Sequence, residues 1–306
     1  EERKITSLLN LVEKPTHPFL PEVCCRVKSF SNKITLCDTR FEKEVIKLPS
    51  GYWCPPSSLW SPFQKKFFFA CGAETEEEDL DKFFSVKVSG RVERSVHLEY
   101  LPQHPQKKRA LTMIAGPDHT IYTVGGVSNV EGKKVITNSC HRFLADEDAR
   151  RWEEIEPVPQ KFYGGVGSCY YTGGGNHSRD GWITDKYMLY VFSPERYAED
   201  HKSKIWVFNH NFSEEVSWFP NKDWSELAGL SVALSEITGS FSGVKYDKTS
   251  FMLLCFETEG HNRYNFNMET QELTKLSKFS GEDAYEESHL ASFWESGGKI
   301  RLIGPD

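Results

Sequence analysis

The chain has 306 residues, a formal net charge of −7 and 26% charged residues. A general nucleic-acid-binding protein needs a basic face that displaces counterions from phosphates, so the acidic balance argues against that class. Strong apolar runs such as Phe251–Phe256 have the length of a buried strand and fall short of the roughly 18 residues that a membrane-spanning helix requires, so no membrane insertion is expected. Aromatic residues make up 13% of the chain, and aromatic side chains favour β-strands.

Eight cysteines are spread along the chain, and no two of them form a Cys-x-x-Cys pair. Most lie in apolar, strand-like runs, where a free cysteine behaves as a small hydrophobic residue. We therefore expect these cysteines to be reduced and buried, with no metal site, in a cytoplasmic protein. The Asn-x-Ser patterns at Asn176 and Asn211 leave secretion as the alternative location.

Short strand-like segments begin near the N-terminus and follow one another in groups. An early group comprises residues 23–27, 33–38 and 45–49. A second group comprises residues 67–71, 83–88 and 96–101, and a single glycine, Gly72, follows its first segment. The acidic segment that starts at Thr75 matches a helix-capping pattern at Thr75 and Glu78, with an inter-strand loop as the alternative.

The third group carries the most regular pattern. Residues 120–124 alternate like a strand and end at Gly125 and Gly126, where the missing Cβ lets the backbone turn tightly. Phe143 lies in a later strand and is expected to pack inward, and Trp152 lies in the outermost strand and is expected to cover its neighbour. A proline-containing stretch, residues 157–159, then leads to the next group.

The remaining groups repeat this order less completely. Residues 168–172 end at Gly173 and Gly174, and strand-like segments follow at 205–208 and 216–218. A fifth group comprises residues 251–256, 263–267 and 272–276, and the last strand is residues 299–304. We expect the N-terminal segment 5–12 to supply the strand that the last group lacks, because joining the two termini removes open sheet edges.

The third group resembles a Kelch repeat, with Gly125, Gly126, Phe143 and Trp152 at the motif positions and Phe143 in place of the usual tyrosine. The resemblance implies an all-β, six-bladed Kelch-type β-propeller with blades of four antiparallel strands, closed by combining the N- and C-terminal strands. A repeat of about 51 residues divides the chain into six units. The predicted blades of this single domain are 21–60, 61–107, 108–160, 161–224, 225–279, and 280–306 together with 1–20.

Several catalytic signatures can be tested against the sequence, and none is complete. No His-Glu-x-x-His motif and no phosphate-binding loop is present. The segment that starts at Gly165 has Tyr170 in place of the third glycine of a dinucleotide loop, and residues 239–243 have Phe241 where a nucleophile elbow needs serine. We therefore predict no catalytic residue and no cofactor.

The favoured function is a non-enzymatic adaptor or scaffold for a protein or peptide partner, as part of a larger chain or complex. The alternative is an enzyme or carbohydrate-binding propeller. A sialidase-like site would need clustered arginines and a tyrosine nucleophile. A copper radical oxidase-like site would need two tyrosines, one of them linked to cysteine, and two histidines.

Partner contacts in the Kelch family come from two classes of position, which the resemblance transfers to this chain. One class precedes the innermost strand of each blade, and the other follows the double glycine. Aromatic and arginine side chains are frequent among these positions, as they are at binding hot spots. The candidate partner-binding residues are Arg109, Phe162, Tyr163, Asn176, His177, Arg179, Ser231, Ser288 and His289.

Overall fold

The structure is a computed structural model that describes residues 8–9, 19–37, 42–90, 94–116, 119–144, 150–171, 186–211, 224–230, 240–256, 262–276, 292–296 and 299–303. Within these residues the chain forms strands in several antiparallel sheets, with very little helix. The predicted all-β class is confirmed. Each sheet of this part of the chain is an open set of strands, and most strands pair with the next strand in sequence.

The first two strand groups each form one sheet. The N-terminal strand β1 is Leu8–Leu9, and it belongs to the last sheet. The first three-stranded sheet contains β2 (Cys24–Val27), β3 (Ser31–Cys37) and β4 (Glu42–Tyr52). The second sheet has the order β5-β6-β7-β8, with strands Ser57–Ser61, Lys66–Ala70, Phe83–Ser89 and Ser95–Tyr100.

A hairpin is inserted in the chain between two strands of the third sheet. The strands of this sheet are β9 (Thr112–Ala115), β10 (Ile121–Val124), β13 (Cys140–Leu144) and β14 (Arg151–Ile155). Between β10 and β13, strands β11 (Val127–Val130) and β12 (Lys133–Ile136) pair with each other as a separate two-stranded sheet. The hairpin was not anticipated from the sequence.

Three further sheets follow along the chain. The fourth sheet contains β15 (Val166–Tyr171), β16 (Lys186–Ser193), β17 (Lys204–Asn211) and β18 (Trp224–Glu226), with a 3-10 helix at Glu195–Tyr197. The fifth contains β19 (Ser240–Lys245), β20 (Ser250–Phe256), β21 (Asn262–Asn267) and β22 (Glu272–Lys275). The last contains β23 (Ser292–Ser296) and β24 (Lys299–Ile303), and β1 pairs with β24 through Leu8 opposite Arg301.

The first strands of successive sheets lie beside one another. Strand β9 contacts both β5 and β15, and β15 contacts β19. Gly167 on β15 allows part of this close approach, because a Cβ there would lie 2.5 Å from Cδ1 of Ile114 on β9. The second to fifth sheets are therefore neighbours in chain order and contact one another through their first strands.

The hydrophobic core lies between neighbouring sheets. Phe83 of the second sheet packs edge-on against Phe143 and Trp152 of the third, with ring centroids 4.9 Å apart in each pair. Phe192 of the fourth sheet stacks on Phe251 of the fifth at 5.2 Å. The large buried rings therefore hold adjacent sheets together face to face.

Two tryptophans on outermost strands fasten one sheet to the preceding one. Trp152 on β14 donates its indole N–H to the carbonyl oxygen of Pro102, just beyond β8, at 2.9 Å. Trp224 on β18 donates to the carbonyl oxygen of Glu156, just beyond β14, at 2.8 Å. The packing role expected for Trp152 is present, and Trp224 repeats it one sheet later.

Other local expectations can be compared with the structure. All eight cysteines are buried and free, as predicted. The segment after Thr75 forms turns without a helix, and the Thr75 hydroxyl accepts the Glu78 N–H at 3.0 Å. Among the described residues, no helix is both long and apolar enough to cross a membrane.

Candidate functional site

The segments that precede β9 and β15 form a continuous hydrogen-bonded layer with the turns that follow β6 and β10. Gly72 donates its N–H to the carbonyl oxygen of Lys108, and Gly126 donates its N–H to the carbonyl oxygen of Phe162, both at 2.9 Å. The N–H groups of Arg109 and Tyr163 extend this layer, since they donate to the carbonyl oxygens of Val127 and Tyr197. We call the end of the sheets formed by residues 71–82, 101–111, 127–136, 157–165 and 194–203 the loop face.

The double-glycine turn has a steric cause. Gly125 and Gly126 have φ angles of 66° and 99°, in the left-handed region that disfavours a Cβ. A Cβ on Gly125 would lie 2.5 Å from the carbonyl oxygen of Phe162. In the second sheet, Cys71 and Gly72 adopt φ angles of 63° and 95° at the same place. A non-glycine residue therefore replaces the first glycine there and retains the turn.

Arg109 is at the predicted position, but its side chain is only 6% exposed. Its Nε atom lies 3.4 Å from Oδ1 of Asp79, and its Nη1 donates to the carbonyl oxygen of Glu76 at 3.1 Å. The guanidinium also lies over the ring of Trp53 at 5.2 Å. This side chain therefore joins the second and third sheets and presents little surface to a partner.

Asp79 links Arg109 to the inserted hairpin. Its Oδ2 accepts the backbone N–H of Asn129 on β11, while its Oδ1 faces Arg109. Burial raises the pKa of the Asp79 carboxyl, against the lowering effect of the Asn129 hydrogen bond and of Arg109. A buried carboxylate with these two partners fixes the base of the hairpin to the body of the protein.

The hairpin presents apolar side chains to solvent. Val130 and Val135 are 52% and 42% exposed. Val130 lies opposite Lys133, and Val135 lies two residues beyond Lys133 on β12. Because paired residues and residues two apart on a strand point to the same side, Val130 and Val135 share one side of the ribbon. Their exposure on an anchored element distinguishes them from the apolar residues of the core.

Phe162 and Tyr163 have different surroundings, although they are adjacent. Phe162 is fully buried, so its side chain belongs to the core between the third and fourth sheets. Tyr163 is half-buried, and its ring stacks on that of Tyr197 with centroids 4.7 Å apart. The guanidinium of the exposed residue Arg196 lies over the Tyr197 ring, 5.6 Å from its centroid.

The other predicted contacts lie outside the described residues, as do two of the predicted structural glycines. These are Asn176, His177, Arg179, Ser231, Ser288 and His289, together with Gly173 and Gly174.

A buried polar cluster lies directly beneath the double-glycine turn. The Lys108 ammonium donates to the carbonyl oxygen of Gly125 at 3.3 Å and to the Ser139 hydroxyl, and burial lowers the pKa of Lys108 to about 8. Nearby, burial lowers the pKa of His104 to about 3 and that of His141 to about 4. The His104 Nε2 lies 3.0 Å from the Thr123 hydroxyl. Lys108 therefore stabilises the turn from inside.

A second feature is a cavity of about 150 Å³ between the first strands of the sheets. Strands β2, β5, β9, β15 and β19 all contribute to its wall. Its polar side chains come from three different sheets and are Ser57, Ser58, Ser168, Ser242 and Lys245, and most of the remaining side chains are apolar. Sequence reasoning did not identify this cavity, because its residues have no local motif.

No cluster of three or more histidine, cysteine, aspartate or glutamate side chains suited to a metal ion occurs in the described part of the chain.

Comparisons with known proteins give little further information. No family model matches the chain, and no curated protein matches it. Solved structures that match include the structure of YjhT, with 11% sequence identity and a TM-score of 0.47, covering 74% of this chain and 67% of that one.

Proposed function

We propose that the chain is a six-bladed Kelch-type β-propeller that binds a protein or peptide partner across the loop face, as a non-enzymatic scaffold. Three observations support the ring arrangement. Four-stranded sheets follow one another along the chain, the first strands of neighbouring sheets contact each other, and β1 pairs with β24. The equivalent hydrogen bonds at Gly72 and Gly126 support a repeat of Kelch type.

The observation that carries the binding proposal is the anchored hairpin. Val130 and Val135 are among the exposed large hydrophobic residues of the described structure, and they share one side of a ribbon that Asp79 holds in place. Interfaces gain most of their affinity from a few apolar or aromatic anchors that lose water on binding. A rigid support lowers the entropy that ordering such anchors would cost.

The loop face also has a charge pattern that would select the partner. The segment beside the hairpin exposes four glutamates, Glu74, Glu76, Glu77 and Glu78. Lys134 of the hairpin lies 3.9 Å from Glu76, which leaves the acidic segment with an excess of negative charge. We infer a partner surface that places an apolar group over the hairpin and basic groups next to these glutamates.

The test is affinity capture from an extract of the native source, with three purified baits. The baits are the wild-type chain, the Val130→Glu/Val135→Glu variant and a Tyr100→Glu control. Tyr100 is 54% exposed on β8, an outermost strand, so its substitution adds a charge at an apolar surface site away from the hairpin.

We expect a partner that the wild-type and Tyr100→Glu baits retain and the hairpin variant loses. Loss with Tyr100→Glu and retention with the hairpin variant would place the binding surface on the outer strands and contradict the proposal. Matching thermal unfolding curves for the three baits confirm that each is folded.

A further inference from the structure

The cavity between the first strands contains polar groups that have no protein partner. Ser57, Trp60 and Ser168 are among the residues that line it, and the two hydroxyls and the indole nitrogen are buried and have no hydrogen-bond partner. Ser57 is 3% exposed and Ser168 is 4% exposed. Buried hydroxyl and indole N–H groups nearly always have a partner, because leaving one unpaired loses its hydrogen bonds to water without replacement.

These groups come from different parts of the sequence, and their residues line one cavity only in the folded chain. Ser57 and Trp60 lie on β5, and Ser168 lies on β15. Gly165, Gly167 and Gly243 also line the cavity, and their lack of side chains brings neighbouring strands close together. The site is therefore a product of the packing of the sheets.

Lys245 gives the cavity its charge. It is the one charged side chain among the described residues of the wall. Its ammonium group donates to the carbonyl oxygen of Cys169 at 2.5 Å and lies 5.0 Å from the centroid of the Phe19 ring. Burial lowers the pKa of Lys245, because the charged form loses water, and the Asp247 carboxylate nearby opposes this effect. An ammonium has three N–H donors, so the Cys169 bond leaves donors for a ligand.

The size and chemistry of the cavity narrow the class of ligand. A cavity of about 150 Å³ accommodates a molecule up to about the size of a six-membered ring. The unpartnered atoms are hydroxyls, which can donate, and an N–H, which can only donate. The rest of the wall includes apolar side chains such as Met113, Ile114 and Val166.

We propose that the cavity binds a small organic carboxylate, with its anionic end at Lys245 and Ser168 and its apolar body against β9 and β15. The carboxylate accepts hydrogen bonds from the remaining donors of Lys245, with the Ser168 hydroxyl rotated toward it, and compensates the ammonium charge. The cavity shares only its border residues Leu111 and Gly165 with the loop face, and the inference does not depend on the partner proposed there.

The test is calorimetric titration of the purified chain with acetate, propionate, butyrate and benzoate, each compared with its uncharged amide at constant ionic strength. We expect saturable binding of at least one carboxylate with a Kd near or below about 1 mM, which corresponds to about −4 kcal/mol. The matching amide should bind at least about tenfold more weakly, since it carries no negative charge to pair with the Lys245 ammonium.

Lys245→Met removes the ammonium and keeps an unbranched side chain, and should weaken carboxylate binding at least about tenfold. Lys248→Met is the matched control, because Lys248 is exposed three residues away and does not line the cavity. Ser168→Ala is a second variant that tests the site if Lys245→Met fails to fold. It should weaken binding of the same carboxylate by a smaller factor.

Three results would overturn the inference. The first is that no carboxylate shows saturable binding up to about 20 mM, which is well beyond the weakest affinity expected for so small a ligand. The second is that a carboxylate and its amide bind equally well. The third is that Lys245→Met and Ser168→Ala both leave carboxylate binding unchanged. A crystal structure with only water molecules on Ser57, Ser168 and Lys245 after a propionate soak would also contradict the proposed site.

Discussion

Gly126 donates its backbone N–H to the carbonyl oxygen of Phe162, and this bond ties the turn of the third sheet to the entry of the fourth. Gly72 and Lys108 form the same bond one sheet earlier. The glycine therefore has two roles, since it permits the positive φ angle and lets the next segment approach within hydrogen-bonding distance. The repeated turn is a connection between sheets as much as a feature of one sheet.

Substitution of single glycines should separate these two roles. Gly125→Ala should lower the free energy of unfolding by about 2–4 kcal/mol, because the new Cβ meets both a positive φ angle and the Phe162 carbonyl oxygen. Gly132→Ala has the positive φ angle of 77° but no atom within 4 Å, so about 1 kcal/mol is expected. Gly51→Ala, with neither constraint, should change stability by less than about 0.5 kcal/mol. Urea unfolding measures all three, and equal effects would contradict the steric explanation.

The tryptophan contacts between sheets should contribute measurably to stability. Trp152→Ala should cost about 3–5 kcal/mol, because the ring packs against Phe83, His104 and Phe143. Trp152→Phe keeps an aromatic ring and loses the bond to Pro102, so about 1 kcal/mol is expected. A loss below about 1 kcal/mol for Trp152→Ala in chemical denaturation would show that this contact is not part of the inter-sheet core.

Arg109 should behave as a structural residue. Arg109→Ala leaves the Asp79 carboxylate buried without its ionic partner, and should destabilise the fold by about 3–5 kcal/mol. The double variant Arg109→Ala/Asp79→Ala should be less unstable than the sum of the two single variants. Additive losses in a double-mutant cycle would mean that the two side chains do not interact.

The buried histidines predict a pH dependence of stability. The pKa values of His104 and His141 lie near 3 and 4 in the folded chain and near 6.5 when unfolded. Between pH 6.5 and about 4 the unfolded chain therefore binds protons that the folded chain does not, so stability falls as pH falls. We expect a loss of about 1.5 kcal/mol per histidine between pH 6.5 and 5.

Urea unfolding at several pH values tests this dependence. The His104→Gln/His141→Gln variant should lose most of the decline between pH 6.5 and 5. The exposed residue His97 provides the control, and His97→Gln should retain the decline. A double variant with the wild-type slope would show that these two histidines do not cause it.

The sequence predicts the elements whose signal is local. Paired glycines at 125–126 and an aromatic residue at 152 mark the third sheet, because turns with positive φ and inter-sheet rings demand those residue types. Cys71 shows the limit of this approach, since it adopts the glycine-like conformation without being glycine. The hairpin was missed because its two-residue turn is Glu131-Gly132, with φ angles of 53° and 77°, in place of the usual Asn-Gly or Asp-Gly.

Burial and convergence could not be predicted in this way. The sequence places Arg109 at a contact position, but the burial of its side chain depends on Asp79 and Trp53, which lie far away along the chain. Strand β5 is rich in serine and has no β-branched residue, so the sequence does not mark it as the first strand of the second sheet. The predicted blade boundary at residue 60 places most of this strand at the end of the preceding unit. In the fourth sheet, Trp224 makes the inter-sheet contact, whereas residues 216–218 lie outside the described residues.

The central claim is that a partner binds across the loop face, and hydrogen–deuterium exchange of the purified complex tests it most directly. The account predicts that the partner slows exchange in residues 127–136, 71–82 and 194–199, and leaves the outer strand β8 and the turn at 62–65 unchanged. Slower exchange confined to β8 and β14, with the hairpin exchanging as in the free chain, would contradict it.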